Sequence, residues 1–165
     1  MFWILKYLRT AGDNFHAVVP GRLYRSATPT PSRLRRWRKQ YGIQTWLDLR
    51  LPSDSTYRDP EWFPAQCAAA RDVGITRISL PMSDRTPTSE EQARLILDVL
   101  TDRPKHPILV ACQGGRHRAG QAVALYRVRV QGWPPQRAIA EAERHGYYDH
   151  GHREFGAGLR RLLGL

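Results

Sequence analysis

The 165-residue sequence predicts an α/β fold: a single domain with a central, mainly parallel sheet of four to five strands and helices on both faces. The first observation is that short strand-like segments alternate with longer segments whose apolar residues recur at helical spacing. The second is the apolar segment HPILVA at 106–111, typical of a central strand covered on both faces. The third is the length, which suits one full core and is short for two.

The first half of the chain contains two predicted strands and one helix. The segment GRLYRSATPTPS, residues 21–32, indicates a short strand and a turn, with Ser32 as the start of a helix. The apolar face of that helix is formed by Leu34, Trp37 and Tyr41. Gly42 ends the helix, and IQTWLDLR at 43–50 alternates as a strand does.

The second half repeats the alternation. A helix at about 62–73 and the strand ITRISLP at 75–81 precede a helix that a capping box opens, formed by Thr88 with Glu91 or by Ser89 with Gln92. The apolar face of this helix consists of Ala93, Ile96, Leu97 and Leu100. The strand at 106–111 leads into a helix at about 119–131, and another helix follows Pro135. A last amphipathic segment carries Phe155, Leu159, Leu162 and Leu163.

The charge is strongly positive, with a formal value of +11, and only three of the basic residues are lysines. This excess of arginine fits an acidic partner such as a phosphate ester, a nucleic acid or an anionic membrane surface, but genomic base composition explains it equally well. The first predicted helix carries much of the charge, on Arg33, Arg35, Arg36, Arg38 and Lys39. We expect a solvated face there, with nucleic-acid contact as the alternative.

Two domain-level expectations follow from composition. Residues 1–13 are an apolar extension too short to span a bilayer, expected to pack on the domain surface or to touch a membrane interface, whereas 14–165 are expected to form the folded domain. Cys67 and Cys112 are too few for a disulfide framework, so we expect a reducing, cytoplasmic location.

The segment ILVACQGGRHRAGQAVALY, residues 108–126, carries the main functional indication. Cys112 follows a predicted strand, where ligand sites of open α/β sheets form. Gly114 and Gly115 allow backbone N–H groups to converge on an oxyanion, and the guanidinium of Arg118 suits two phosphate oxygens. The positive field favours the thiolate of Cys112. A buried structural cysteine is the alternative interpretation.

The motif CQGGRHR at 112–118 resembles the C-x5-R loop of cysteine-dependent tyrosine and dual-specificity phosphatases, in their compact bacterial branch. The resemblance covers most of residues 14–148. It implies a phosphocysteine formed on Cys112, phosphate held with Arg118, no metal or other cofactor, and phosphate or sulfate binding in the loop. The phosphate-binding positions that it implies are Gln113, Gly114, Gly115, Arg116, His117 and Ala119.

The resemblance also implies an aspartate that protonates the leaving group. Asp84 lies 28 residues before Cys112, after the strand at 75–81, and is the expected general acid. Asp54 and Asp59 are the reserve candidates.

The sequence departs from this family at two positions. Ala111 stands where the family has the histidine that orders the loop and favours the thiolate. Ala119 replaces the serine or threonine whose hydroxyl stabilises the departing thiolate, which predicts slow hydrolysis of the intermediate.

Several functions therefore remain open. Arg116 and His117 make the loop basic, which fits an inositol phosphate carrying several phosphates as well as a phosphorylated protein. A phosphate-binding adaptor and an RNA-directed phosphatase are the alternatives, with nucleic acid less favoured as a partner. A rhodanese-like sulfur transferase fits least, because its loop is shorter and lacks the spacing of Arg118.

Overall fold

The computed structural model describes residues 14–148 and 152–165, and the predicted N-terminal extension lies outside these residues. Within them, five strands form one sheet in the order β1-β2-β5-β3-β4. The strands are β1 (His16–Val19), β2 (Leu23–Ala27), β3 (Thr45–Asp48), β4 (Thr76–Ser79) and β5 (Ile108–Cys112). Every pairing is parallel except that of β1 with β2. This confirms the predicted α/β class and strand number.

Seven α-helices connect or follow these strands in the described part of the chain. They are α1 (Pro31–Tyr41), α2 (Ser55–Arg58), α3 (Trp62–Asp72), α4 (Glu90–Thr101), α5 (His117–Arg129), α6 (Pro135–Arg144) and α7 (Arg153–Leu162). A short 3-10 helix, Arg103–Lys105, precedes β5. None of the helices among these residues is long and apolar enough to cross a membrane.

Two apolar clusters cover the two faces of the sheet. One joins β5 to α4, α5, α6 and α7, and the other joins it to α1 and α3. All five residues of β5 are buried, because this central strand is covered on both faces, as its apolar sequence predicts. The prediction of helices on both faces is thereby confirmed.

The helix termini agree with the sequence except at two starts. Ser89 and Gln92 form the expected capping box of α4, and Gly42 ends α1 at a φ of 70°. The start expected at Ser32 is wrong by one residue: α1 begins at Pro31, because the Thr30 side chain caps it. The start expected near 119 is wrong by two residues, since α5 begins at His117.

Two elements were not predicted. The edge strand β1 has only four residues, and α2 is a single turn in the loop after β3. Both are too short to show a periodic pattern, yet both lie beside the loop that follows β5.

Candidate active site

Cys112 is the last residue of β5 and lies at the carboxyl end of the parallel strands. It pairs with Ala27 of β2 and is 2% exposed. Ligand sites of open α/β sheets form at this edge, so the expected position of the cysteine is confirmed. Both cysteines are free thiols, and Cys67 lies on α3, against the opposite face of the sheet.

The loop after Cys112 turns tightly against β2. Gly115 has a φ of 65°, and a Cβ at this position would lie 2.6 Å from the carbonyl carbon of Ser26. Only glycine fits such a left-handed residue pressed against a neighbouring backbone. The N–H of Thr28 donates to the Gln113 carbonyl at 3.3 Å, a second contact between the loop and the end of β2. The loop leads into the N-terminus of α5, whose free N–H groups favour an anion.

Arg118 lies in the first turn of α5 with its side chain buried. Its Nη1 donates to Asp54 Oδ2 at 2.6 Å and to the Met82 carbonyl at 3.3 Å. Burial alone would lower the pKa of Arg118, but the charges of Cys112 and Asp54 outweigh it and raise the pKa above its ordinary value. A permanently charged guanidinium therefore lies beside the cysteine, as the motif predicts.

The loop after β3 closes over this arginine. Asp54 Oδ2 also accepts the N–H of Leu51 at 2.8 Å, which fixes the carboxylate in place. Thr56 of α2 accepts from Arg50 at 3.1 Å and donates toward Gln113 at 3.5 Å, linking this loop to the one after Cys112. The reserve candidate Asp59 is exposed and accepts instead the N–H groups of Glu61 at 3.0 Å and of Trp62 at 2.7 Å, just before α3.

Asp84 lies in a bend between β4 and α4, half-buried. Its backbone carbonyl accepts from Nδ1 of His152 at 2.8 Å, and its negative charge contributes to the raised pKa of Arg118. The structure therefore places both Asp54 and Asp84 around Arg118. The choice of Asp84 as general acid stays a prediction.

The two basic residues inside the loop differ from expectation. Arg116 is exposed and its side chain lies along Gly146, so its charge is accessible to solvent. His117 contacts the rings of Tyr148 at 4.5 Å and His152 at 4.1 Å. Burial and the neighbouring charge of His152 lower the pKa of His117 to about 4, so it adds no positive charge at neutral pH. The expectation of a loop made basic by both residues is wrong for His117.

The two alanines that depart from the family pattern are fully buried. Ala111 packs on the face of α1 and α3, and Ala119 packs in the cluster that contains Cys112. Neither has a side-chain polar atom that could interact with the thiol, so neither position replaces the imidazole or the hydroxyl that the family has there.

Sequence reasoning missed two residues behind the loop, Arg25 and Asn14. The carbonyl of Gly115 accepts from Arg25 Nη2 at 2.7 Å and from Asn14 Nδ2 at 2.9 Å. The sequence did contain an indication for Arg25: it is an arginine in the middle of a predicted strand, with small and apolar residues on both sides. A charged side chain at such a position becomes buried when the strand lies beside the central one. Nothing in the sequence singles out Asn14.

This fold, with a C-x5-R loop between the central strand and the following helix, defines the class of cysteine-dependent phosphatases. The sequence profile of one family, described as DSP-PTPase phosphatase fused to NAD+ kinase, matches residues 7–154, and the chain belongs to this family.

Individual relatives are more distant. The dual specificity protein phosphatase TpbA of Pseudomonas aeruginosa is 32% identical over 72 residues, 44% of this chain and 33% of the relative. The inositol diphosphatase DSP3 of Arabidopsis thaliana is 28% identical over 138 residues, 81% of this chain and 62% of the relative. The chain thus spans less than two thirds of these relatives.

Solved structures share the fold. The core catalytic domain of the PP-IP phosphatase Siw14 from S. cerevisiae superposes with a TM-score of 0.75 at 19% identity, covering 94% of this chain and 86% of that one.

Proposed function

We propose that the chain hydrolyses phosphate monoesters through a phosphocysteine intermediate on Cys112. The observation that supports this most directly is the order of the parts: buried Cys112 ends β5, the left-handed Gly115 turns the loop, and buried Arg118 lies in the first turn of α5. A thiolate, a fixed guanidinium and converging N–H groups are the parts that phosphoryl transfer to cysteine requires.

In the first step the Cys112 thiolate attacks phosphorus, so that a P–S bond forms while the P–O ester bond breaks. The departing oxygen takes a proton from Asp84, and Arg118 with the loop N–H groups neutralises the charge on the equatorial oxygens. No metal ion is required for this step, since these groups hold the phosphoryl oxygens.

In the second step water attacks the phosphocysteine and gives a proton to the Asp84 carboxylate. The P–S bond breaks and the thiolate of Cys112 departs. Ala119 supplies no hydroxyl to stabilise that thiolate, so we expect this step to limit turnover.

For the substrate we propose a phosphorylated protein or an inositol phosphate. The relatives TpbA and DSP3 are named for these two classes, and the Siw14 structure contains citrate, an anion. The exposed charge of Arg116 favours a substrate with more than one phosphate.

The test is phosphate release from para-nitrophenyl phosphate, a phosphotyrosine peptide and inositol polyphosphates. Wild type, Cys112→Ser and the control Cys67→Ser are compared. We expect release by wild type and by the Cys67 variant, and none by Cys112→Ser. Equal release by Cys112→Ser would overturn the thiol mechanism.

A second candidate is a phosphate-binding adaptor, which the alanines at 111 and 119 favour. It predicts binding of phosphate esters without release. The RNA-directed alternative predicts oligonucleotide binding that weakens steeply with salt, through the exposed arginines of α1.

A further inference from the structure

Arg25 is a buried arginine that forms no ion pair with a carboxylate among the described residues. It is 1% exposed, and its Nε and Nη1 have no hydrogen-bond partner among the described residues. Glu141 acts on it through its charge, but both carboxylate oxygens of Glu141 accept from Arg127, at 2.7 and 2.8 Å. Burying such a charge is costly, so an arginine kept here without an acidic partner indicates a role beyond stability.

Within residues 14–148 and 152–165, the one side-chain hydrogen bond of Arg25 is to the loop. Its Nη2 donates to the Gly115 carbonyl at 2.7 Å, and Asn14 donates to the same oxygen at 2.9 Å. Asn14 does so from a φ of 61°, a conformation uncommon outside glycine. Two donors and one strained residue therefore converge on a single carbonyl behind the loop.

The direction of that carbonyl decides where the next N–H points. In a planar trans peptide, C=O and N–H point in opposite directions. Holding the Gly115 carbonyl toward β2 therefore turns the Arg116 N–H toward the opposite side, where the phosphate would lie. The Thr28 N–H holds the Gln113 carbonyl in the same manner, which turns the Gly114 N–H.

Arg25 also places a positive charge near Cys112. It pairs in register with Val110 of β5, two residues before Cys112 and on the same face. The charge of Cys112 raises the pKa of Arg25, but burial prevails and lowers it to about 10, so the guanidinium stays charged at neutral pH.

The other titratable groups facing Arg25 are Glu141 and His145, on α6 and at its end, and His16 of β1. Cys112 in turn faces Arg118 of α5, which Asp54 and Asp84 approach.

We propose that Arg25 is a positioning residue for the phosphate loop: it turns the loop N–H groups toward the bound phosphate and places a positive charge behind the Cys112 thiolate. In the family a histidine at the position of Ala111 favours the thiolate, and here the charge of Arg25 takes over that role. The proposal rests on the function proposed for the site, but concerns the thiolate and the empty loop, which are measurable without turnover.

The test is the rate at which iodoacetamide alkylates Cys112 across pH, read by peptide mass mapping so that Cys67 is counted apart. Inorganic phosphate serves as a protecting ligand. The variants are Arg25→Gln, which removes the charge, and Arg25→Lys, which keeps it. Arg129→Gln, a charge loss on α5 far from the loop, is the control, and circular dichroism verifies folding.

We expect Arg25→Gln to slow alkylation near neutral pH by about tenfold or more, with a profile moved to higher pH and weaker protection by phosphate. Arg25→Lys is expected to keep the profile of the wild type, and so is Arg129→Gln. A folded Arg25→Gln with the wild-type profile would overturn the proposal.

Should Arg25→Gln fail to fold, Arg25→Lys decides. Retention of the wild-type profile supports the role of the charge, and a profile moved to higher pH contradicts it. If the wild type releases phosphate from none of the substrates while the alkylation results are as expected, the proposed activity is rejected and the role of Arg25 is still supported.

Discussion

At the scale of single residues, the site holds two aspartates in different relations to Arg118. Asp54 forms a short ion pair with it, at 2.6 Å, and its side chain is 18% exposed. Asp84 acts on Arg118 through its charge, from a bend whose carbonyl His152 holds. In the proposed mechanism, we expect an arriving phosphate dianion to compete with Asp54 for the guanidinium and Asp84 to protonate the leaving group.

Substitutions of the two aspartates should therefore have different kinetic effects. We expect Asp84→Asn to reduce kcat/KM by about 10²- to 10⁴-fold for an alkyl or inositol phosphate, and much less for para-nitrophenyl phosphate, whose leaving group needs no proton. Asp54→Asn removes the competitor for Arg118 and should lower KM for all substrates alike. Steady-state kinetics with both leaving groups tests this. A large, leaving-group-dependent loss in Asp54→Asn instead would transfer the role of acid to Asp54.

Replacing Ala119 by serine should increase the activity. Because hydrolysis of the phosphocysteine is expected to limit turnover, Ala119→Ser should raise kcat by about tenfold and reduce the initial burst of para-nitrophenol seen in stopped-flow traces. Ala124→Ser introduces a hydroxyl at another buried position of α5 and is the matched control. Equal kcat values in wild type and Ala119→Ser would show that another step is limiting.

At the scale of elements, the loop between β5 and α5 is shaped by β2. Gly115 lies against the backbone of Ser26 and Ala27, and β2 supplies the donor behind it. The loop geometry is thus a property of two strands together, not of the loop sequence alone.

Gly115→Ala tests this packing. The added Cβ meets the β2 backbone and the φ of 65° is unfavourable, so the loop must shift, and we expect kcat/KM to fall by about 10²-fold. The control is Gly132→Ala, which has a φ of 70° but no atom within 4 Å of the added Cβ. It carries the same conformational cost without the clash and should keep its activity. Equal losses in both variants would show that the clash with β2 has no influence.

The sequence predicted the elements whose patterns are long or whose ends are marked. The apolar run of β5, the cap of α4 and Gly42 after α1 all act locally, so they are visible in a single sequence. The position of Cys112 and Arg118 was predictable for the same reason, since a strand, a turn and a helix are contiguous. By contrast, β1 is a four-residue edge strand, and its existence depends on pairing with β2.

The rest of the site depends on contacts between distant segments. Asp54 reaches Arg118 across 64 residues, and Arg25 reaches Gly115 across 90. The loss of charge on His117 arises from burial and from the approach of His152, neither of which spacing reveals. Local patterns therefore predict the position of Cys112 and its loop, whereas the groups packed around them follow from the fold.

At the scale of the whole molecule, histidine pairs join segments that are far apart in sequence. His16 contacts His145 at 4.0 Å, and His117 contacts His152 at 4.1 Å. Burial, and then the charge of Arg25, lowers the pKa of His145 to about 4, and burial lowers that of His117 to about 4. His145 and His117 are therefore neutral in the folded protein at neutral pH.

The lowered pKa values predict acid sensitivity. Between the ordinary value of 6.5 and about 4 the unfolded chain binds more protons than the folded one, so the free energy of unfolding falls as the pH falls through this window. We expect Tm to decrease from about pH 7 to about pH 5, by about 2–4 °C for each kcal/mol lost. His145→Asn should make this dependence shallower. Differential scanning calorimetry across pH measures it, and identical slopes in wild type and His145→Asn would contradict the account.

The most direct measurement of the central claim is rapid-quench trapping of the enzyme during turnover of para-nitrophenyl phosphate, followed by mass spectrometry of its peptides. We predict one phosphoryl group on the peptide that contains Cys112, accumulating in wild type because the second step is slow, and absent from Cys112→Ser. Product formation with Cys112 unmodified at every time point, or a phosphoryl group on any other residue that persists in Cys112→Ser, would contradict the mechanism.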